Sequence, residues 1–204
     1  MRSLCTGVIL AGGQNSRFSG KNKAFIEIFG KTILDRILET FSAFFDEVIL
    51  VTKEPLYYIE KDLLIAADPF PTKSALTGIH SALFYAKNPY VFVTACDTPF
   101  LKKEILHVIL NEIEEGYDAF IPKTSQGMEP LNAVYSRRCL SAIEHFLLQD
   151  KHQIIRVFQK RRVKFIPEKR FRENDPDLIS FFNINKPDDL IKASQFLSRM
   201  DKSL

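Results

Sequence analysis

The chain alternates between short continuous apolar runs and stripes of apolar residues spaced three and four apart. Residues 7–10 are apolar and partly β-branched, the pattern of a strand covered on both faces of a parallel sheet. In residues 32–45, Ile33, Leu34, Ile37, Leu38, Phe41, Phe44 and Phe45 share one helical face. Residues 47–52, 63–66 and 90–95 predict further buried strands, with a helix around 81–86 before the last of them. Residues 102–114 form an amphipathic helix carrying Ile105, Leu106, Ile109, Leu110 and Ile113. Strands at 119–122 and 131–135 flank a Lys-Thr-Ser-Gln-Gly-Met-Glu loop, helices follow at 138–148 and 154–159, and a strand at 163–166. Charged residues 169–177 read as a surface loop and 181–185 as a short strand. A last helix opens at Lys186-Pro187, with proline in its first turn and Asp188 and Asp189 at the positive end of its dipole.

Strands alternating with helices predict a three-layer α/β/α fold, Rossmann-like, with a mostly parallel sheet. Ligands of such sheets sit beyond the carboxyl ends of the strands, which directs attention to residues 11–23, Thr52, Asp68 and Asp97. The first of these stretches is a phosphate cradle by composition. Gly12 and Gly13 let backbone approach a ligand, and Arg17, Lys21 and Lys23 follow as cations. Five of the eight glycines fall within the first thirty residues, which favours a built loop over an ordinary surface turn. It is not a Walker A loop, because Gly20-Lys21 is followed by Asn22; nor is it a dinucleotide fingerprint, which Gly12-Gly13-Gln14-Asn15 breaks.

Charge and composition narrow the partners. A formal charge of +3 over 204 residues provides no global basic field, so small anions are expected rather than nucleic acid. The length suits one domain, residues 1–204. Three cysteines, Cys5, Cys96 and Cys139, contain no Cys-x-x-Cys pair, which argues against a disulfide framework and a zinc site and fits a reducing cytoplasm. No leader-like segment and no apolar run of about 18 residues is present, so a protein free of the membrane is expected.

Lys23 is a compact cation suited to follow charge developing at an α-phosphate and at a pyrophosphate leaving group. Asp97, directly after a buried strand, stands where a Mg2+ ligand belongs, since Mg2+ takes one or two carboxylates and completes its shell with phosphates and water. As Asp97-Thr-Pro it also suits the N-cap of a helix beginning near Pro99. Asp68 has the same topological position but precedes Pro69, which also makes it a turn initiator. Cys96 is read as a small buried apolar residue, and the four histidines lack ligand spacing. The basic run Lys160-Arg161-Arg162 with Lys164 reads as a solvated helix end, with assistance to a phosphorylated acceptor as the alternative. Asn183 and Asn185 alternate onto one face, so both amides address one ligand, or else they serve turn chemistry before Pro187.

The loop Leu10-Ala-Gly-Gly with Ser16, Arg17, Gly20 and Lys23 resembles the nucleotidyltransferase signature. With Ala95-Cys-Asp-Thr-Pro-Phe100, Glu129-Pro-Leu131 and Phe182-Asn-Ile-Asn-Lys-Pro187, the chain resembles the molybdenum cofactor guanylyltransferases. That resemblance implies a nucleotide-diphospho-sugar transferase type of fold and Mg2+-dependent transfer of GMP from GTP to the phosphate of molybdopterin. It implies nucleotide contacts from Leu10, Ala11, Gly12, Gly13, Lys23, Asp68, Gly78 and Asp97, with Arg17, Lys23 and Asp97 catalytic, Asp97 on the metal, and Asn183 and Asn185 on the acceptor. Transient contact with cofactor-biosynthesis proteins and molybdoenzyme chaperones is also implied. The alternatives are a related cytidylyl- or sugar-1-phosphate nucleotidyltransferase and a GTP-binding delivery partner without catalysis. The chain departs from the family pattern at Phe18-Ser19, where methionine-glycine is usual, at Asn22, where aspartate is common, and at Val51-Thr52, where many members place asparagine.

Overall fold

A computed structural model of the chain describes residues 4–12, 22–67, 70–72 and 74–200. In chain order, β1 (Cys5–Leu10) is followed by β2 (Glu27–Ile28), β3 (Lys31–Thr32), α1 (Ile33–Phe41), β4 (Val48–Thr52), β5 (Leu64–Ala67) and α2 (Ala75–Tyr85). Then come β6 (Tyr90–Ala95), α3 (Lys103–Asn111), β7 (Ala119–Thr124), β8 (Gly127–Met128), β9 (Asn132–Ser136) and α4 (Leu140–Leu148). The remaining elements are α5 (Ile154–Val157), β10 (Val163–Pro167), α6 (Lys169–Arg172) and α7 (Pro187–Met200).

The main sheet has the order β10-β7-β9-β6-β1-β4-β5. Among the described residues its pairings are parallel except those of β9, which runs against β6 and β7, and the short β8, which folds back on β7. Both faces of the sheet are covered, so each central strand carries apolar side chains inward on both sides. Ile9, Leu50, Phe92, Phe120 and Val134 face the layer of α1, α3, α6 and α7. Val8, Leu10, Ile49, Val51, Val91, Val93 and Tyr135 face the layer of α2, α4 and α5. This is the three-layer arrangement expected from continuous apolar strand runs.

Four elements differ from the expectation. The helix expected at 81–86 starts at Ala75, because Ser74 and Thr77 form a reciprocal capping box that seals its first turn. The helix expected over 32–45 ends at Phe41, and Phe44 and Phe45 pack from the turns after it. Residues 169–177 are not a loop alone: α6 buries Phe171 completely, and Asp175 beyond it is fully buried. Residues 181–185 are not a strand. They leave a 3-10 turn over Ile179–Phe181 and run past the carboxyl end of β6, with Ile184 buried while Asn183 and Asn185 stay exposed. The alternation read from the sequence therefore survives without a strand ladder, because one apolar residue anchors the segment.

That segment is tied down at its start. The Asp175 carboxylate accepts from Ser180 N at 2.8 Å and pairs with Lys102 Nζ at 3.0 Å. Lys102 N in turn donates to the Ser180 hydroxyl at 3.1 Å. A buried carboxylate so paired fixes the start of the segment against the N-terminus of α3.

Candidate active site

The site lies where β1 and β6, neighbours in the middle of the sheet, end together. Cys96 N donates to Leu10 O at 3.0 Å and Ala11 N to Val51 O at 2.8 Å, so the ladder runs one step past both strands. Ala11 is buried, whereas Gly12 is exposed and a side chain there would meet nothing within 4 Å among the described residues. Backbone is thus presented to open space directly after the strand. Gly13, Arg17 and Asp68 lie outside the described residues.

Lys23 rises from a 3-10 turn, Lys23–Phe25, and its ammonium collects oxygens from distant parts of the chain. It donates to Ile184 O at 2.9 Å and to Asn185 Oδ1 at 3.3 Å, and pairs with Asp97 Oδ2 at 3.5 Å. The two charged side chains retain 14% and 22% of their exposure, so solvent screening of the pair is limited. Burial pushes the Asp97 carboxyl above the ordinary aspartate range, and Lys23 offsets part of that shift. Asp97 is not a helix cap: α3 begins at Lys103 with Lys102 as its N-cap. Its backbone instead accepts from Ile184 N at 2.8 Å. Next to it the buried Thr98 hydroxyl donates to Asn183 Oδ1 at 2.9 Å. Asn185 therefore turns its carbonyl oxygen to Lys23, and Asn183 turns its own to Thr98, the residue next to Asp97. Among the described residues no three His, Cys, Asp or Glu side chains converge.

Gly78 lies inside α2 and is buried. A Cβ there would come within 3.0 Å of Leu10 Cδ2 and 3.3 Å of Cδ1, so the glycine lets the helix close on the end of β1. Gly78→Ala is expected to destabilise the protein by about 1–3 kcal/mol through overpacking, read from denaturant midpoints at unchanged m.

Lys53, directly after β4, was not singled out in the sequence although it occupies a strand end. Its ammonium donates to the carbonyls of Phe70 at 2.6 Å, Pro71 at 3.1 Å and Thr72 at 3.5 Å. It thereby ties down the proline-containing stretch before α2, where Phe70 meets the His80 ring edge-on at 4.9 Å. On the other side of β6, Thr94 donates to Asn132 Oδ1 at 2.8 Å and orders the start of β9. Glu129, just ahead of it, has its carboxyl pushed up by burial and accepts from Thr124 at 3.1 Å.

Other candidates fall away from this edge. Lys164 pairs with Glu114 at 2.9 Å and Glu112 at 3.2 Å, and Arg162 lies 5.1 Å above the Tyr117 ring, so this basic run belongs to the packing of β10. Cys5, Cys96 and Cys139 are buried thiols outside any disulfide, and burial pushes the Cys96 thiol up to about 12, which leaves it protonated and unreactive.

Residues 7–164 match the family model described as MobA-like NTP transferase domain. A protein of Desulfosudis oleivorans named molybdenum cofactor guanylyltransferase is 46% identical over 188 residues, 92% of this chain and 93% of its own. One from Methanosarcina mazei, named probable molybdenum cofactor guanylyltransferase, is 36% identical over 201 residues, 93% of this chain and 89% of its own. The crystal structure of molybdopterin-guanine dinucleotide biosynthesis protein A from Archaeoglobus fulgidus matches with a TM-score of 0.83 at 30% identity, covering 95% and 99% of the two chains. A 4-diphosphocytidyl-2C-methyl-D-erythritol synthase from Anaerococcus prevotii shares the fold, with a TM-score of 0.69 at 18% identity over 95% and 96%.

Proposed function

This chain belongs to the MobA-like NTP transferase family, and from that premise we propose that it transfers GMP from GTP to the phosphate of molybdopterin or its molybdenum-bearing form. The products are molybdopterin guanine dinucleotide and pyrophosphate. The observation that carries this reading is the Lys23 and Asp97 pair at the shared end of β1 and β6, where a parallel sheet presents its ligands. All of residues 1–204 act as one transferase domain.

An oxygen of the acceptor phosphate attacks the α-phosphorus in line; the bond from that phosphorus to the bridging oxygen breaks, and its electron pair leaves with pyrophosphate. No covalent enzyme intermediate is needed, so the residues position groups and balance charge. Lys23, braced by Ile184 O and Asn185, meets the growing negative charge on the phosphates, and Arg17 adds a second cation. Leu10, Ala11, Gly12 and Gly13 bring backbone to the nucleotide, Asp68 contacts the nucleoside, and Gly78 acts by seating α2 against Leu10. Asp97 is an oxygen donor of the type Mg2+ takes, partly exposed beside Lys23 and, among the described residues, without a cluster of further carboxylates, which suits an ion that completes its shell with phosphates and water. Asp97 would hold Mg2+, which would supply charge neutralisation at the triphosphate.

Asn183 and Asn185 hold the acceptor through their amide nitrogens. Asn183→Ala is expected to leave GTP affinity within about threefold and to weaken acceptor binding by about 1–3 kcal/mol, because a polar group of the ligand is left without its partner. Titration calorimetry with GTP and with molybdopterin separately reads both; loss of GTP binding with the acceptor retained reverses the assignment. Asn183 suits this measurement better than Asn185, whose removal also takes an oxygen from Lys23.

The test of the reaction is pyrophosphate release from GTP with and without molybdopterin, alongside thermal shifts with GTP, CTP, ATP and UTP. Acceptor-dependent release with GTP supports the reading. A preference for CTP or for a sugar phosphate acceptor points to a neighbouring transferase activity, and GTP retained without release points to a delivery protein. Work in the cytoplasm beside molybdoenzyme chaperones belongs to the same proposal.

A further inference from the structure

The position of an ammonium at the end of a four-carbon stem depends on where the stem begins as much as on what the tip touches. Lys23 begins at a 3-10 turn three residues long, too short to hold its own geometry. Asn22 caps it: its Oδ1 accepts from Ala24 N at 3.0 Å, and its backbone carbonyl accepts from Phe25 N at 3.1 Å. The same side chain turns its amide nitrogen to Tyr58, donating to the phenol oxygen at 2.8 Å. Phe25 lies against the Tyr58 ring with centroids 5.2 Å apart and planes at 28°. Tyr58 itself is completely buried.

Tyr58 closes a 3-10 turn, Pro55–Tyr58, that hangs from the end of β4. There Thr52 Oγ1 accepts from Glu54 N at 3.0 Å and donates to Ala11 O at 3.4 Å. A continuous route of short contacts thus runs from the β1 and β4 strand ends through Tyr58 and Asn22 to the base of Lys23. No residue of this route besides Lys23 and Ala11 has a place in the chemistry above.

We propose that Tyr58, acting through Asn22, is a positioning residue that sets where the Lys23 ammonium stands relative to Asp97 and the substrate phosphates. The inference rests on the reading of Lys23 as the charge-balancing cation. Tyr58 does not touch substrate; its hydroxyl fixes the amide, the amide fixes the turn, and the turn fixes the stem. Burial raises the phenol above its ordinary range, so the hydroxyl stays neutral across the working pH.

The test is steady-state pyrophosphate release by wild type, Tyr58→Phe, Asn22→Asp, Lys23→Ala and the Tyr58→Phe/Lys23→Ala double variant, at a temperature where circular dichroism shows all of them folded. Tyr58→Phe keeps the ring stack and removes only the hydroxyl, and its kcat is expected to fall about tenfold with KM for GTP within about twofold. That is milder than the roughly 100-fold of a 1 Å displacement. Asn22→Asp keeps the cap and can accept from the phenol, so its kcat stays within about twofold of wild type. In the Lys23→Ala background Tyr58→Phe is expected to cost nothing further, since the two act on one group. A merely structural tyrosine would lower the melting temperature and leave kcat alone, or would lower kcat equally in both backgrounds; either result overturns the inference while leaving Lys23 in place. Wild-type kcat in Lys23→Ala overturns the inference together with the reading beneath it.

Discussion

Lys23→Ala is expected to lower turnover by about 100-fold or more while the protein remains folded. The ammonium is held by Ile184 O, Asn185 and Asp97 at 2.9, 3.3 and 3.5 Å, a preorganised cation rather than a mobile surface charge. Its loss removes charge balance at the phosphates and also takes from the Asp97 carboxylate the cation paired with it at 3.5 Å. Two readings are therefore expected to move together. Turnover falls, and the apparent pKa governing metal-dependent activity rises, because the charge of Lys23 holds the Asp97 carboxyl down against its burial. Lys23→Arg keeps the charge but spreads it over a planar group, and recovers only part of the activity. Pyrophosphate release across pH on the pure variants decides; near-wild-type turnover with unchanged melting removes Lys23 from the chemistry.

Asp97→Asn is expected to reduce Mg2+-dependent activity by about 100- to 1000-fold and yet to leave the fold at least as stable as wild type at neutral pH. The stability sign follows from the direction of the shift. The folded carboxyl has its pKa raised above the unfolded value, so the stabilisation belongs to the protonated form; it is fully present below the ordinary aspartate range and is lost as pH rises through the raised value. At neutral pH the wild type bears the cost of a partly buried carboxylate, which the amide does not. The gap between variant and wild type should accordingly shrink as pH falls through that window. For the wild type, Mg2+-dependent nucleotide binding should weaken at a pH above that at which an exposed aspartate protonates. Melting curves and Mg2+ titrations over pH 4–8 read both effects, and an unchanged metal dependence in Asp97→Asn places the metal elsewhere.

The central strands were legible because a sheet covered on both sides leaves unbroken apolar runs: residues 48–51 and 90–93 need no neighbours to be recognised. The sites at strand ends followed from topology, which gave Lys23 and Asp97 as candidates without giving their contact. What the sequence did not disclose has physical reasons. The start of α2 is set by two short polar side chains bonding each other's backbone, a signal drowned by the prolines before it. α6 is a four-residue helix among charges, marked only by Phe171 turning inward. The segment of Asn183 and Asn185 alternates like a strand because one buried isoleucine holds it, and periodicity cannot tell a ladder from a single anchor. Asn183 and Asn185 read in the sequence as acceptor contacts or as turn chemistry before Pro187, and the pattern does not disclose that the folded chain brings their carbonyl oxygens to Thr98 and Lys23. Lys53 was passed over because three backbone carbonyls leave no trace in the side-chain sequence.

The family-model match ends at residue 164, yet Lys23 reaches Ile184 and Asn185, 161 and 162 positions further along the chain. During synthesis at about 5–20 residues per second, about 8–30 s separate the appearance of the lysine from that of the oxygens that brace it. A nascent chain can therefore build β1, β4 and β6 and dock α1 and α2 well before its ammonium acquires those two partners. Competence arrives late, with the segment that Asp175 and Lys102 fasten, and a ribosome-bound chain halted between residues 164 and 183 should display the nucleotide fold with an unbraced lysine.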